Sequence, residues 1–124
     1  MLVAYPAIIH FEEDQYWAEF PDVPGCFTVG DTLPEVMAYA SESLGGLLCC
    51  NMDHGISINP PSDPTSIHPE DGFVSLVVTD PLKYKKDTRA VKKTLSIPAW
   101  LNEEAEKRHI NFSSVLQSAL IDML

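Results

Sequence analysis

The chain has 124 residues, 45% of them hydrophobic and 21% charged, and a formal charge of −10. That composition supports one full globular core, or one modest core with a small appendage, and excludes collagen-like, disordered and large multi-domain enzyme classes. No apolar run approaches the roughly 20 residues of a membrane helix. The N-terminal MLVAYPAIIHFEED has neither the basic region nor the cleavage site of a signal peptide, so a cytoplasmic location is expected. Cys26, Cys49 and Cys50 are an odd set without CxxC spacing and are expected as reduced thiols packing like small apolar groups.

The charge is segregated along the chain. Residues 1–82 hold thirteen Asp and Glu with no Lys or Arg, while residues 83–124 hold all eight basic residues against five acids. Six of those bases, Lys83, Lys85, Lys86, Arg89, Lys92 and Lys93, fall within eleven residues. An acidic surface of this density attracts cations or a basic protein and repels nucleic acid, and a basic stretch does the reverse. Two parts with two kinds of partner are therefore expected.

In chain order, YPAIIH (5–10) runs through the acidic FEED into QYWAEF, where Tyr16, Ala18 and Phe20 alternate with Gln15, Trp17 and Glu19; this predicts a β-hairpin. The turn-rich PDVPGCFTVGDT brackets a short third strand at 26–29. Thr32-Leu33-Pro34-Glu35 has the form of a capping box, with Pro34 in a first turn that lacks a helical partner for its missing N–H. The helix it opens carries an apolar stripe of Leu33, Val36, Met37, Ala40, Leu44, Leu47 and Leu48, and ends near CCNMDHG. Residues 55–72 hold four prolines and two glycines and predict an extended crossing loop. The nearly continuous apolar run 73–80 predicts a strand central in the sheet, and Asp80-Pro81 can cap a short turn. The order β-β-β-α-β gives an α+β first domain over residues 1–82, with 83–90 as a basic linker.

Residues 91–124 carry a different pattern. Val91, Lys93, Leu95 and Ile97 share one strand face, and Lys92, Thr94 and Ser96 the other, until Pro98 stops the strand and opens a helix. That helix, over roughly 98–109, should bury Ile97, Leu101 and Ala105, with Trp100 at the margin. Asn111 caps a second helix whose stripe is Phe112, Val115, Leu116, Ala119, Leu120, Met123 and Leu124. One strand and two short helices fall below the roughly 40 residues of a self-sufficient core, so this part is expected to fold as a homodimer. Antiparallel pairing of two strands would line one face of a ribbon with Lys92, Thr94 and Ser96 from each copy, a set that suits base edges in a DNA major groove.

Strand, Leu-Ser-Ile-Pro, helix, turn, Asn-Phe-Ser-Ser and apolar helix together resemble a ribbon-helix-helix DNA-binding domain. The segment PDVPGCFTVGDTLPEVMAYASESL (21–44) resembles the signature of HicB antitoxins, a Pro-Asp-x-x-Gly-x-x-Thr-x-Gly-x-Thr stretch before a helix in a partial RNase H-like domain. The resemblance implies the antitoxin of a type II toxin–antitoxin pair. Its N-terminal domain would bind and inhibit HicA, a small basic ribonuclease, and its C-terminal ribbon-helix-helix domain would bind operator double-stranded DNA and repress the shared operon. The DNA-binding residues would be Lys92, Thr94 and Ser96, with Asn111 and Ser113 and the amides of the second helix at phosphates in place of the family's usual basic residue, which here is Phe112.

For the toxin surface, composition favours Tyr16, Trp17 and Phe20 as anchors among Glu12, Glu13, Asp14, Glu19 and Asp22, since aromatics dominate interface hot spots. Catalysis is not expected, because the scattered acids Asp14, Glu19, Asp22, Asp31 and Glu42 need not converge on a metal. Nor is a zinc site or any cofactor expected: Cys50 and His54 lack two further ligands. A different class remains open, a stand-alone ribbon-helix-helix regulator whose first domain senses a ligand or assembles the protein.

Overall fold

Two residues in left-handed backbone close the first hairpin. β1 (Val3–Glu12) and β2 (Gln15–Glu19) pair antiparallel from Ile8 with Glu19 to Glu12 with Gln15, leaving Glu13 (φ 51°) and Asp14 (φ 62°) as the loop. Positive φ at both positions matches the right-handed twist of the flanking strands, but strains Glu more than Asn and Asp more than Gly. The double change Glu13→Asn with Asp14→Gly should therefore raise stability by about 1 kcal/mol, read as a higher urea midpoint; a lowered midpoint would contradict this loop geometry.

The computed structural model describes residues 1–85 and 89–124. Lys86, Asp87 and Thr88, in the expected linker, lie outside the described residues. The chain divides into two units, Leu2–Lys86 and Asp87–Leu124.

In the first unit β3 (Phe27–Gly30), one residue later than expected, pairs with β2. α1 (Leu33–Asp53) follows, and β4 (Phe73–Thr79) pairs antiparallel with β1. The sheet order is β3-β2-β1-β4. β4 is thus an edge strand, not a central one. Its apolar run reflects two apolar faces rather than two hydrogen-bonded neighbours: Val77 is buried toward the core, while Leu76 and Val78 are 51% and 53% exposed on the other face.

One layer of helix covers one face of this sheet. Tyr5, Ala7 and Ile9 of β1, Ala18 of β2, Phe20 and Val77 pack with Val36, Ala40, Leu44 and Leu48 of α1. Each fully buried aliphatic side chain of this kind contributes about 1.5–3 kcal/mol. Thr32 caps α1 as expected, its hydroxyl accepting from the Glu35 N–H at 3.2 Å. Leu33 is 38% exposed and stands outside the core, whereas Val36 in the same turn is fully buried. Cys26 and Cys49 are buried and Cys50 is exposed, all three as free thiols, so the small-apolar role does not extend to Cys50.

Two ties fix α1 to the end of β4. The Ser41 hydroxyl donates to the Val78 carbonyl at 2.7 Å, and the Thr79 hydroxyl donates to the Ser41 carbonyl at 2.9 Å. The crossing segment contains one 3-10 turn, Pro64–Ser66, and Asp80 caps another at Pro81–Tyr84 by accepting from the Leu82 N–H at 3.0 Å. A Cβ at Gly45 would collide with the Tyr84 ring, so glycine there allows the ring to lie on α1. Lys85 donates to Asp53 at 2.6 Å, and this bond chiefly holds the Asp53 carboxyl below its ordinary value. The expected boundary at residue 82 therefore falls inside the first unit.

The second unit holds α2 (Ala99–Lys107) and α3 (Phe112–Met123). Asn111 caps α3, its side-chain oxygen accepting from the Ser114 N–H at 3.1 Å. Residues 91–97 form no ladder within the single chain. Ala105 is the one buried residue among those described here. Leu95, Ile97, Trp100, Leu101, Val115 and Leu120 are 40% to 67% exposed, so the burial expected for Ile97 and Leu101 is not achieved within one copy. No helix among the described residues is long and apolar enough to cross a membrane.

Candidate functional site

Within the first unit α1 packs on one face of the sheet, and strand register determines what stands on the other. His10 pairs with Trp17, and Trp17 with Val29; Glu19 pairs with Ile8 and with Phe27. Cross-strand partners share a face, so His10, Trp17, Glu19, Phe27 and Val29 form one aromatic and apolar strip. The His10 and Trp17 rings stack at 4.0 Å with 14° between their planes. His10 Nε2 lies 3.8 Å from the Glu19 carboxylate, too far for a hydrogen bond, and has no hydrogen-bond partner. Phe27 is 65% exposed and Val29 45%.

Two cavities flank Phe27. One of about 400 Å³ is lined by Trp17, Glu19, Pro21, Cys26 and Phe27 among others. The other, about 350 Å³, lies toward the hairpin tip against Glu12, Glu13, Gln15, Trp17, Phe27 and Val29. The face thus combines exposed rings with carboxylates, the pairing of anchor and polar rim that protein interfaces use.

The residues expected at the toxin surface separate into three groups. Trp17, Glu19, Glu12 and Glu13 come together on this face, with Asp14 at the exposed hairpin tip. Tyr16 is on the opposite face, where its ring meets Phe11 at 4.7 Å. Phe20 belongs to the core at 3% exposure, so it cannot present an anchor ring to a partner. Asp22 is committed internally: its carboxylate accepts from the Ser62 hydroxyl at 2.5 Å and from the Ser62 N–H at 2.8 Å. Its carbonyl accepts from Asn59, whose own carbonyl accepts from Tyr5. That chain of bonds pins the proline-rich segment to the domain, and burial followed by the Asp22 charge pushes the Tyr5 hydroxyl pKa up. Sequence reasoning missed His10, Phe27 and Val29; the i, i+2 spacing of Phe27 and Val29 in β3 was the available signal.

In the second unit, Lys93, Leu95 and Ile97 line a cavity of about 630 Å³ with Leu101, Ala105, Phe112, Val115 and Leu116. Of the face expected to carry Val91, Lys93, Leu95 and Ile97, the last three line this cavity and Val91, 77% exposed, does not; Lys92, Thr94 and Ser96 are also absent from the lining, and all of 91–97 is exposed in the single chain. Lys93 lies at this groove with the apolar residues, its ammonium on a long stem able to reach out of it. Ser113 also lines the groove, and the Asn111 side chain is used in capping. Cys50 and His54 meet at the end of α1, with Sγ 3.6 Å from Nδ1, and no cluster of three or more metal-ligating side chains occurs among the described residues.

Known proteins resemble the chain in both sequence and fold. A toxin–antitoxin complex from Streptococcus pneumoniae contains a chain that is 28% identical, matched over 100% of both chains with a TM-score of 0.64. A HicA3 and HicB3 toxin–antitoxin complex contains one that is 27% identical, matched over 64% of this chain and 100% of that one with a TM-score of 0.56. A 14.9 kDa protein of the rep-hol intergenic region of Haemophilus phage HP1 is 50% identical over 40 residues, which span 32% of this chain and 30% of that protein. The family model for the HicB-like antitoxin of bacterial toxin–antitoxin systems matches residues 5–120. With a matching arrangement of sheet and helices and a family pattern running through both units, the chain belongs to the HicB-like antitoxins.

Proposed function

We propose that this antitoxin binds and neutralises a HicA-type, mRNA-cleaving ribonuclease toxin through its acidic N-terminal unit, and represses the toxin–antitoxin operon by binding operator DNA through a ribbon-helix-helix homodimer of its C-terminal unit. It acts in the cytoplasm, without a cofactor and without catalysis of its own. The observation that carries this reading is the contrast between the units. The first has a complete core and no Lys or Arg through residue 82; the second has Arg89, Lys92 and Lys93 ahead of its helices and one buried residue among those described.

An inhibitor of an RNA-cleaving enzyme competes for a surface built to hold phosphates. Carboxylates around exposed rings suit that task, and long-range attraction speeds the encounter. A chain similar to this one occurs in a HicA3 and HicB3 complex, which supports a HicA-type partner here. In the second unit, pairing residues 91–97 with a symmetry-related copy satisfies the strand edges, covers the apolar groove and sets Lys92, Thr94 and Ser96 along one ribbon face.

Co-expression with a HicA-type toxin tests the first half: the two proteins should co-purify and the toxin's RNA cleavage should cease. Co-purification failing with a folded antitoxin would overturn it. For the second half, Lys92→Ala and Thr94→Ala should each weaken specific operator binding by about 1–3 kcal/mol for every base edge the shortened side chain no longer reaches, with the dimer intact. Unchanged operator affinity in both variants would remove the ribbon from the reading.

A further inference from the structure

The cavity between Trp17 and Phe27 has a chemistry more specific than a general acidic face requires. Its walls include Trp17, Phe27, Pro21 and, from the core side, Phe20, and Glu19 is its one carboxylate. We propose that it is an arginine pocket: a guanidinium of the toxin partner packs against the Trp17 and Phe27 rings and donates paired N–H groups to Glu19. This rests on the antitoxin reading above and adds the side chain by which the partner is recognised.

Three observations carry it. First, the lining matches a guanidinium better than an ammonium, because a planar, weakly hydrated cation stacks on aromatic faces and presents two parallel donors to a carboxylate. Second, Glu19 has not been committed within the fold: the near neighbour is His10 at 3.8 Å, beyond hydrogen-bonding range. Third, residues 1–82 contain no Lys or Arg, so this part of the domain cannot supply the cation itself. The Cys26 thiol also lines the cavity, and burial pushes its pKa up to about 11, so it remains neutral and does not compete for the cation. Phe27, at 65% exposure, leaves most of its surface to be covered by whatever enters.

The test uses the full-length chain and the peptide acetyl-Gly-Arg-Gly-amide, followed by NMR at the Trp17 indole and His10 ring. Saturable shifts at both rings are expected. The neutral citrulline analogue should produce none, and the lysine analogue should bind several-fold more weakly. Glu19→Gln should weaken arginine-peptide binding and toxin affinity by about tenfold or more, the scale of one lost charge-assisted pair. Phe27→Leu, which keeps the apolar wall and removes the ring, should weaken both by a smaller factor. Equal shifts with citrulline, or unchanged binding in Glu19→Gln, would overturn the pocket. So would movement of the Trp17 resonance on Lys92→Ala without peptide, which would show that the chain's own basic segment fills the site. If wild-type protein neutralises the toxin but Glu19→Gln loses nothing, the pocket fails and the antitoxin reading stands; if wild-type protein captures no toxin, that reading fails and the partner's arginine with it.

Discussion

Full-length protein carrying Leu116→Asp is expected to sediment as a monomer and to lose specific operator binding by about a thousandfold, the margin that separates specific from non-specific sites. Leu116 lines the groove formed by residues 93–97 and the two C-terminal helices, where a single copy buries only Ala105. In the proposed dimer this groove is the core of the unit. A carboxylate there must be desolvated without a designed partner, and the symmetry axis brings a second aspartate to the same interface. The cost exceeds what so small a unit holds in reserve, so association and DNA binding should fail together. Toxin capture should persist, because the first unit packs its own apolar face. A dimer that survives the substitution with wild-type operator affinity would place the interface elsewhere.

Leu44→Ala should have the second largest effect, a loss of about 2–5 kcal/mol in the unfolding free energy of the first unit. Leu44 is 0% exposed, midway along α1 and against the sheet, where neighbours on β1 and β4 cannot close the space a removed isobutyl group leaves. Urea denaturation followed by far-ultraviolet circular dichroism measures it. Leu76→Ala is the contrast: at 51% exposure on the uncovered face it should cost less than about 1 kcal/mol. Equal losses at the two positions would mean that the uncovered face is buried in the solution state.

Much of the fold could be read from local chemistry. The two-residue spacing of Tyr16, Ala18 and Phe20 announced a strand, Thr32 with Glu35 fixed the start of α1, and Asn111 fixed the start of α3, because each depends on a few adjacent residues. Strand order was less accessible. An apolar stretch such as FVSLVVT records which faces carry hydrocarbon and is silent about how many strands flank it. The proposed docking residues were legible in part for a related reason. Composition around the hairpin flagged aromatics and acids together, but alternation sends neighbours to opposite sides, so Trp17 reached the open face while Tyr16 and Phe20 did not. Phe27 enters only through its pairing with Glu19, which depends on knowing the register. Asp22 is indistinguishable in the sequence from any surface acid, because Ser62, which occupies its carboxylate, lies forty residues away.

The near-absence of burial in the C-terminal unit has a consequence for dosage. If folding of this unit requires two copies, the amount of repressor falls roughly with the square of protein level when the chain is scarce, whereas the self-sufficient N-terminal unit declines only in proportion. Dilution or turnover would then release the promoter before it freed the toxin, and resupply would begin while protection was still in force.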